Sequence, residues 1–150
     1  MSYEEAEKII QLILQKKKEK GIQDILTFLN DHFRYYNWIG IYIVKGNKLC
    51  LGLWKGTQTT EHTEIPIGHG VCGSAAQTGK TEVVNDVHSD KRYLACFLTT
   101  RSEIVVPIKK NATVIGEIDI DSDTHEAFTK NDVNFLEKIA DMIQVYICNL

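Results

Sequence analysis

The sequence has few of the features typical of membrane, secreted or nucleic-acid-binding proteins. No uninterrupted apolar run approaches the ~18 residues of a membrane-spanning helix. The amino terminus, MSYEEAEKII, is acidic and lacks the positive segment of a signal peptide. The formal net charge of −3 provides no basic field for a phosphate backbone. These absences predict a cytoplasmic protein with neither a membrane nor a nucleic acid among its partners.

Linkers, repeats and low-complexity segments are also absent from the 150 residues, so we expect one domain over residues 1–150. Apolar residues at helical spacing predict N-terminal helices within residues 1–35 and a C-terminal helix over residues 129–150. Alternating residues and turn signals predict a sheet and pocket loops within residues 37–128. This order of elements predicts an α+β fold, in which helices pack on one face of an antiparallel sheet.

Polar and aromatic side chains share one face of the predicted sheet. Because strand side chains alternate, the isoleucines of three strands point to one face and the residues between them point to the other. The second face collects Trp38, Tyr42, Glu103, Asp119 and Asp121. A solvated outer face is one interpretation of the two aspartates. If the long loop of residues 86–101 covers them, they form a cation pocket instead, suited to an amino acid with an apolar tail.

Two of the four cysteines are candidates for chemistry. Cys72 lies at a predicted helix start, where partial positive charge favours a thiolate, and Cys96 lies in the long loop. Position alone leaves a structural role open for both. Cys50 lies on a predicted strand and Cys148 on the last helix, so we expect both to be packing residues.

Two patterns resemble ligand sites, but their sequence context disfavours both. His69 and Cys72 have a spacing similar to that of zinc ligands, and His88 and Cys96 could complete such a site. The sequence has no Cys-x-x-Cys and no second matched pair, which counts against a zinc site. Residues 68–73 spell the dinucleotide-binding pattern G-x-G-x-x-G. The helix that follows is too short for a parallel crossover, and Pro66 argues against a central strand before it. We therefore expect no metal and no cofactor.

Taken together, these residues resemble a known family, the free methionine-R-sulfoxide reductases, which are built on a GAF domain. The resemblance runs from residue 37 to the C terminus and rests on segments 37–42, 65–73, 86–88, 95–96, 102–107 and 116–122. The scaffold alone serves many ligands, and the cysteine pair together with the three carboxylates is more specific. The resemblance implies a single GAF domain with a loop-covered ligand pocket on the sheet face opposite the helices.

The resemblance also implies a role for each candidate residue. Cys96 matches the catalytic cysteine and Cys72 matches a resolving cysteine. The carboxylates that hold the substrate are matched by Glu103, Asp119 and Asp121, and the aromatic wall around its methyl end by Trp38 and Tyr42. The family is typically dimeric and cytosolic, and thioredoxin recharges it. The implied partners are therefore free methionine sulfoxide, a thioredoxin-like reductant and a second copy of the chain.

Two positions depart from the family pattern. The family often has a further cysteine ten positions before the one matched by Cys72, and this chain has His62 there. The residue after the catalytic cysteine is often Asp, and here it is Phe97. The first departure leaves Cys72 as the resolving thiol, and the second bears on how the loop that carries Cys96 closes.

These assignments predict a reaction with two thiols. Cys96 attacks the sulfoxide sulfur, a carboxyl group such as Glu103 or Asp121 protonates the oxygen, and methionine leaves a sulfenic acid behind. Cys72 then forms a disulfide with Cys96, which an external dithiol reduces. The alternatives are a GAF domain that senses a small ligand and a redox sensor that has no substrate.

Overall fold

The computed structural model describes residues 1–95 and 97–150. Within them the helices are α1 (Tyr3–Lys17), α2 (Ile22–His32), α3 (Gly70–Thr78) and α4 (Lys130–Ile143). The strands are β1 (Trp38–Lys45), β2 (Lys48–Lys55), β3 (Glu64–Pro66), β4 (Glu82–Val84), β5 (Ser102–Lys110) and β6 (Thr113–Ser122). Short 3₁₀ turns occupy Lys18–Gly21, Val87–Ser89 and Ile147–Asn149.

The six strands form one antiparallel sheet in the order β3-β2-β1-β6-β5-β4. Two hairpins, β1–β2 and β5–β6, join through the pairing of β1 with β6. These two strands are therefore central, and each has a hydrogen-bonded neighbour on both sides. The predicted α+β fold with an antiparallel sheet is confirmed.

One face of the sheet is aliphatic and is covered by helices. Ile39 and Ile41 of β1 and Ile118 and Ile120 of β6 point to this face and are at most 1% exposed. The apolar stripes of α1, α2 and α4 pack against this face, as the helical spacing predicts. This larger of two apolar clusters supplies most of the hydrophobic stabilisation.

The opposite face is covered by α3 as well as by loops. Val71, Cys72 and Ala75 lie in a second cluster with Tyr42 and Val105 of the sheet. Small residues let α3 approach closely: a Cβ added at Gly73 would lie 2.6 Å from the Pro66 carbonyl oxygen. Helices thus contact both faces, with three on the aliphatic side and the short α3 on the side that carries the polar residues.

The C-terminal helix is shorter than the predicted 129–150. It ends at Ile143, and the next residues turn into the 3₁₀ turn Ile147–Asn149. The run Val145–Tyr146–Ile147 is β-branched and aromatic, which lowers helix propensity. Cys148 is exposed and Cys50 is half-buried, so the expectation that Cys148 packs in the core is wrong.

The edge position of β3 removes the context that dinucleotide binding requires. β3 pairs antiparallel with β2 only, and Pro66 is its last residue. The G-x-G-x-x-G segment therefore does not connect two parallel strands. None of the helices in the described part of the chain is long and apolar enough to cross a membrane.

The N terminus of α4 is held by one buried carboxylate, which yields a stability prediction. Asp132 accepts a hydrogen bond from the Tyr36 hydroxyl at 2.6 Å and one from the Thr129 amide at 2.8 Å. The Asp132→Ala variant loses the cap and leaves a buried hydroxyl unsatisfied. We expect its free energy of unfolding to fall by about 2–4 kcal/mol, as measured by urea denaturation. Asp141→Ala, at an exposed position of α4, should change it by less than about 0.5 kcal/mol.

Candidate functional site

Strand β6 carries three acidic side chains on the face that lies under α3. Glu117, Asp119 and Asp121 alternate along the strand, and each has a cross-strand neighbour in β1 and in β5. The three cross-strand rows are Trp38–Asp121–Glu103, Gly40–Asp119–Val105 and Tyr42–Glu117–Pro107. The antiparallel register thus brings the predicted aromatic and acidic residues together on one face.

Burial distinguishes the two interpretations of this face. Asp119 is 1% exposed and Asp121 is 2% exposed, so the interpretation of a solvated outer face is wrong. Glu103 is 4% exposed and Glu117 is fully buried. Glu117 is not among the site residues predicted from the sequence. Its position two residues before Asp119 was the available signal, since residues i, i+2 and i+4 of a strand share a face.

Burial also changes the protonation of these groups. It raises the pKa of Glu117 and of Asp121 well above the usual carboxyl range, and the charge of Asp119 raises both further. Burial raises the pKa of Asp119 as well. Within the described residues, no hydrogen-bond partner is present for either oxygen of Glu117 or of Asp121, or for Asp119 Oδ1. The arrangement can therefore hold a proton, or a cation that replaces it.

Cys72 lies in the first turn of α3 and points at this acidic face. Its Sγ is 4.0 Å from Glu103 Oε2, to which the thiol donates. Burial raises the pKa of the Cys72 thiol well above its usual value, and the charges of Asp119 and Glu117 raise it further. The expectation that the helix start favours a Cys72 thiolate is therefore wrong. The dipole effect is modest, and desolvation beside several carboxylates outweighs it.

Trp38 and Tyr42 form an aromatic wall on the same face as the carboxylates. Trp38 lies opposite Asp121, and Tyr42 lies opposite Glu117. The Trp38 indole stacks on Trp54 at 6.2 Å between ring centroids and donates a hydrogen bond to the Gln58 carbonyl. The indole lies over Gly40, where an added Cβ would overlap the ring. The buried Tyr42 hydroxyl donates to the His62 carbonyl at 2.7 Å. The glycine and the two hydrogen bonds together fix the position of the wall.

The predicted long loop covers the acidic face. Leu94 lies against the start of α3, since a Cβ added at Gly70 would be 2.8 Å from Leu94 Cδ1. Two small cavities remain under the cover. One of about 10 Å³ lies beside Cys72, Glu103, Asp119 and Leu94, and one of about 30 Å³ lies beside Trp38, Phe97 and Asp121. A larger cleft of about 540 Å³ at Lys80, Lys109 and Lys130 contains none of the predicted residues.

The two departures from the family pattern involve residues that flank Cys96 in the sequence: His62 contacts Ala95, and the second departure is Phe97 itself. Cys96 itself lies outside the residues that the structure describes. The His62 ring Nε2 is 3.2 Å from the carbonyl oxygen of Ala95. The Phe97 ring is 5.6 Å from the Trp38 ring. Of the two chain neighbours of Cys96, Ala95 is therefore held by a hydrogen bond to His62, and Phe97 is held by contact with Trp38 on the acidic face.

The histidines of the zinc pattern do not join Cys72. His69 is exposed at the start of α3, and His88 Nε2 is 3.1 Å from an Arg101 guanidinium nitrogen. Among the described residues, the ligand-type atoms that cluster are those of Cys72, Glu103 and Asp119.

The buried carboxylates predict a pH-dependent cost to folding. Burial raises the pKa of Asp121 in the folded chain, so the folded state binds this proton more tightly than the unfolded state does. The free energy of unfolding therefore falls as the pH rises above the ordinary carboxyl pKa of about 4. Asp121→Asn removes this cost. We expect the variant to be more stable than the wild type at pH 8 by about 1 kcal/mol or more, with a smaller difference near pH 4.

Denaturation by urea at both pH values measures the effect. Asp123→Asn is the matched control, since Asp123 is exposed two residues further along, and it should change stability little. Loss of stability in Asp121→Asn at pH 8 would show that a partner compensates the Asp121 charge.

Comparison with known proteins places this site in a family. The GAF-domain profile matches residues 21–147. The free methionine-R-sulfoxide reductase of Saccharomyces cerevisiae is 42% identical over 111 residues, which cover 71% of this chain and 61% of that protein. The aligned region therefore spans less than two thirds of the yeast protein.

Two solved structures match over greater lengths. The type II free methionine-R-sulfoxide reductase from Thermoplasma acidophilum is 36% identical, with a TM-score of 0.81 and coverage of 91% of this chain and 93% of that one. The free methionine-R-sulfoxide reductase from Neisseria meningitidis, in complex with its substrate, is 30% identical, with a TM-score of 0.86 and coverage of 96% and 87%. The chain therefore belongs to the GAF-domain family and, within it, to the free methionine-R-sulfoxide reductases.

Proposed function

We propose that this chain reduces free L-methionine (R)-sulfoxide to methionine, with Cys96 as the nucleophile and Cys72 as the resolving thiol. The observation that carries the proposal is the burial of Glu103, Asp119 and Asp121 beside Cys72, under a covering loop. The family supports the choice of substrate and of the (R) isomer. The site residues have the chemistry that this substrate requires.

The acidic face accounts for selection of a free amino acid. A peptide-bound or N-blocked methionine sulfoxide has no α-ammonium group, whereas the free amino acid does. Buried carboxylates are costly unless they are protonated or paired with a cation. An ammonium group that enters beside Glu103 and Asp119 offsets this cost, so the free energy released favours the free amino acid over the blocked one.

The aromatic wall suits the other end of the substrate. The methyl and sulfur of methionine are apolar and polarizable, and sulfur contacts aromatic rings favourably. Trp38 and Tyr42 lie on the same face as the carboxylates, in cross-strand register with Asp121 and Glu117. A bound amino acid can therefore place its ammonium group at the carboxylates and its methyl group at the rings.

The first chemical step uses Cys96 and a protonated carboxyl group. The Cys96 thiolate attacks the sulfoxide sulfur, and a carboxylic acid donates a proton to the oxygen. Asp121 suits the acid role, since burial raises the pKa of its carboxyl well above the usual range. The hydroxyl passes from the substrate to the Cys96 sulfur, and methionine leaves with a reduced sulfur. Cys96 is then a sulfenic acid.

The second step uses Cys72. The raised pKa keeps the Cys72 thiol protonated in the resting protein, so it does not compete with Cys96 for the sulfoxide. Once the sulfenic acid has formed, Cys72 attacks the Cys96 sulfur, and its proton passes by way of a neighbouring carboxylate such as Glu103 to the departing hydroxyl. A disulfide and one water molecule result. An external dithiol of the thioredoxin class returns both cysteines to thiols by exchange.

The family resemblance supports two further proposals about the protein as a whole. We propose that residues 1–150 form a single GAF domain and that two copies associate as a homodimer.

The substrate prediction separates a reductase from a sensor. Reduced protein that is incubated with racemic free methionine sulfoxide and a dithiol should release methionine and leave the (S)-sulfoxide unreacted. N-acetylmethionine sulfoxide lacks the ammonium group and should react with a kcat/KM lower by about 30-fold or more, equivalent to 2 kcal/mol. Amino-acid analysis with chiral separation measures both results.

Asp119→Asn should lower kcat/KM by a comparable factor with the free substrate and by a much smaller factor with the N-acetylated substrate. Binding of the sulfoxide without release of methionine would instead identify a sensor. Equal rates with free and blocked substrates would contradict recognition of the ammonium group.

The cysteine prediction separates the two thiols by single-turnover chemistry. Cys72→Ser should release about one equivalent of methionine per chain, because Cys96 alone forms the bond to sulfur. It should then stop as a sulfenic acid, since a thioredoxin-like reductant attacks a disulfide. Cys96→Ser should release none. Rapid quench followed by peptide mass mapping measures the methionine and should find a Cys72–Cys96 disulfide in the wild type.

The other two cysteines provide the controls for this assignment. Cys148→Ser and Cys50→Ser should keep steady-state turnover with thioredoxin. Normal turnover of Cys72→Ser with thioredoxin would show that another cysteine resolves the intermediate.

A further inference from the structure

Three side chains capable of binding a metal converge at one buried point. The Cys72 Sγ and one carboxylate oxygen each from Glu103 and Asp119 all lie within 4.8 Å of one another. The three residues come from α3, β5 and β6, so rigid elements hold the cluster. Their exposed fractions are 6%, 4% and 1%. An ion bound here would therefore be largely shielded from bulk water.

The donor set of one sulfur and two oxygens discriminates among metal ions. Mg²⁺ and Ca²⁺ take oxygen ligands, and Cu⁺ prefers soft sulfur ligands. Zn²⁺ accepts thiolate at about 2.3 Å together with carboxylate at about 2.0–2.2 Å, in a tetrahedral arrangement. Such bonds hold neighbouring ligand atoms roughly 3.3–3.7 Å apart, so the three side chains converge by rotamer adjustments of about 1 Å. The donor set favours zinc.

A second observation points to a cation at this place. Asp119 Oδ1 and both carboxylate oxygens of Glu117 are buried, with no hydrogen-bond partner in the described part of the chain. Glu117 lies two residues before Asp119 on the same face of β6. A doubly charged ion bonded to Asp119 would satisfy a buried oxygen and offset the adjacent negative charge.

We propose that Cys72, Glu103 and Asp119 bind one Zn²⁺ ion in the reduced protein, and that this ion inhibits turnover reversibly. Binding converts the Cys72 thiol into a zinc-bound thiolate and releases its proton to solvent. The ion occupies carboxylates that the ammonium group would use, and it holds the sulfur that would form the disulfide. A disulfide at Cys72 removes one ligand, so the site belongs to the reduced protein. The inhibition rests on the proposed function, whereas the binding does not.

Cobalt substitution tests the binding without reference to activity. Thiolate ligation gives Co²⁺ an intense near-ultraviolet charge-transfer absorption, and Zn²⁺ abolishes it by displacement. The reduced protein should bind one Co²⁺ per chain with this band. Cys72→Ser should lose the band and weaken binding by at least about 100-fold, and Asp119→Asn should weaken it by at least about 10-fold. Cys148→Ser and Cys50→Ser are the matched controls and should titrate as the wild type does.

The outcomes distinguish this inference from the proposed function. The ligand assignment is overturned if the absorption band persists in Cys72→Ser, or if it is lost in Cys148→Ser or Cys96→Ser instead. It is also overturned if the wild type gives no band. If the wild type reduces methionine sulfoxide but equimolar Zn²⁺ leaves its rate unchanged, the inhibition is wrong and the proposed function stands. If it binds Co²⁺ through Cys72 but reduces no sulfoxide, the metal site stands and the proposed function fails.

Discussion

The burial of acidic side chains on one face of β6 is the constraint on which the rest of the structure depends. A strand with Glu117, Asp119 and Asp121 on one side is poorly suited to a core, since each carboxylate loses its hydration there. The opposite face of the same strand carries Ile118 and Ile120, which lie in the larger apolar cluster. The helices on that side supply the stability that lets the acidic face remain buried.

The same burial bears on which cysteine reacts first in the proposed reaction. A helix N terminus normally favours a thiolate, but at Cys72 desolvation and the surrounding carboxylates raise the pKa instead. A thiol that stays protonated does not react with an incoming sulfoxide, yet it remains 4.0 Å from a carboxylate oxygen of Glu103 that can take its proton. The electrostatics of the pocket therefore suit Cys72 to the second step of the proposed reaction.

Strand alternation made much of the site predictable. A period of two assigned Trp38, Tyr42 and the β6 aspartates to one face without any knowledge of neighbouring elements, and antiparallel pairing aligned them in rows. Alternation does not reveal whether a face is buried, because burial depends on where α3 and the long loop lie. For the same reason the raised pKa of Cys72 could not be predicted from a local helix start. The predicted C-terminal helix extends beyond the observed end of α4 at Ile143, because apolar residues continue at helical spacing there. Helix propensity, in contrast, falls after Ile143.

The position of His62 shows how the chain compensates for the family cysteine that it lacks. The His62 carbonyl accepts from the Tyr42 hydroxyl at 2.7 Å, and the His62 ring Nε2 is 3.2 Å from the Ala95 carbonyl oxygen. Because a carbonyl only accepts, the ring must donate from Nε2 in this contact. The residue therefore links the buried aromatic wall to the segment that leads into Cys96. A cysteine at this position could offer a thiol to chemistry but no donor of comparable reach. In this chain the position serves to hold the loop, and the proposed reaction assigns the resolving step to Cys72.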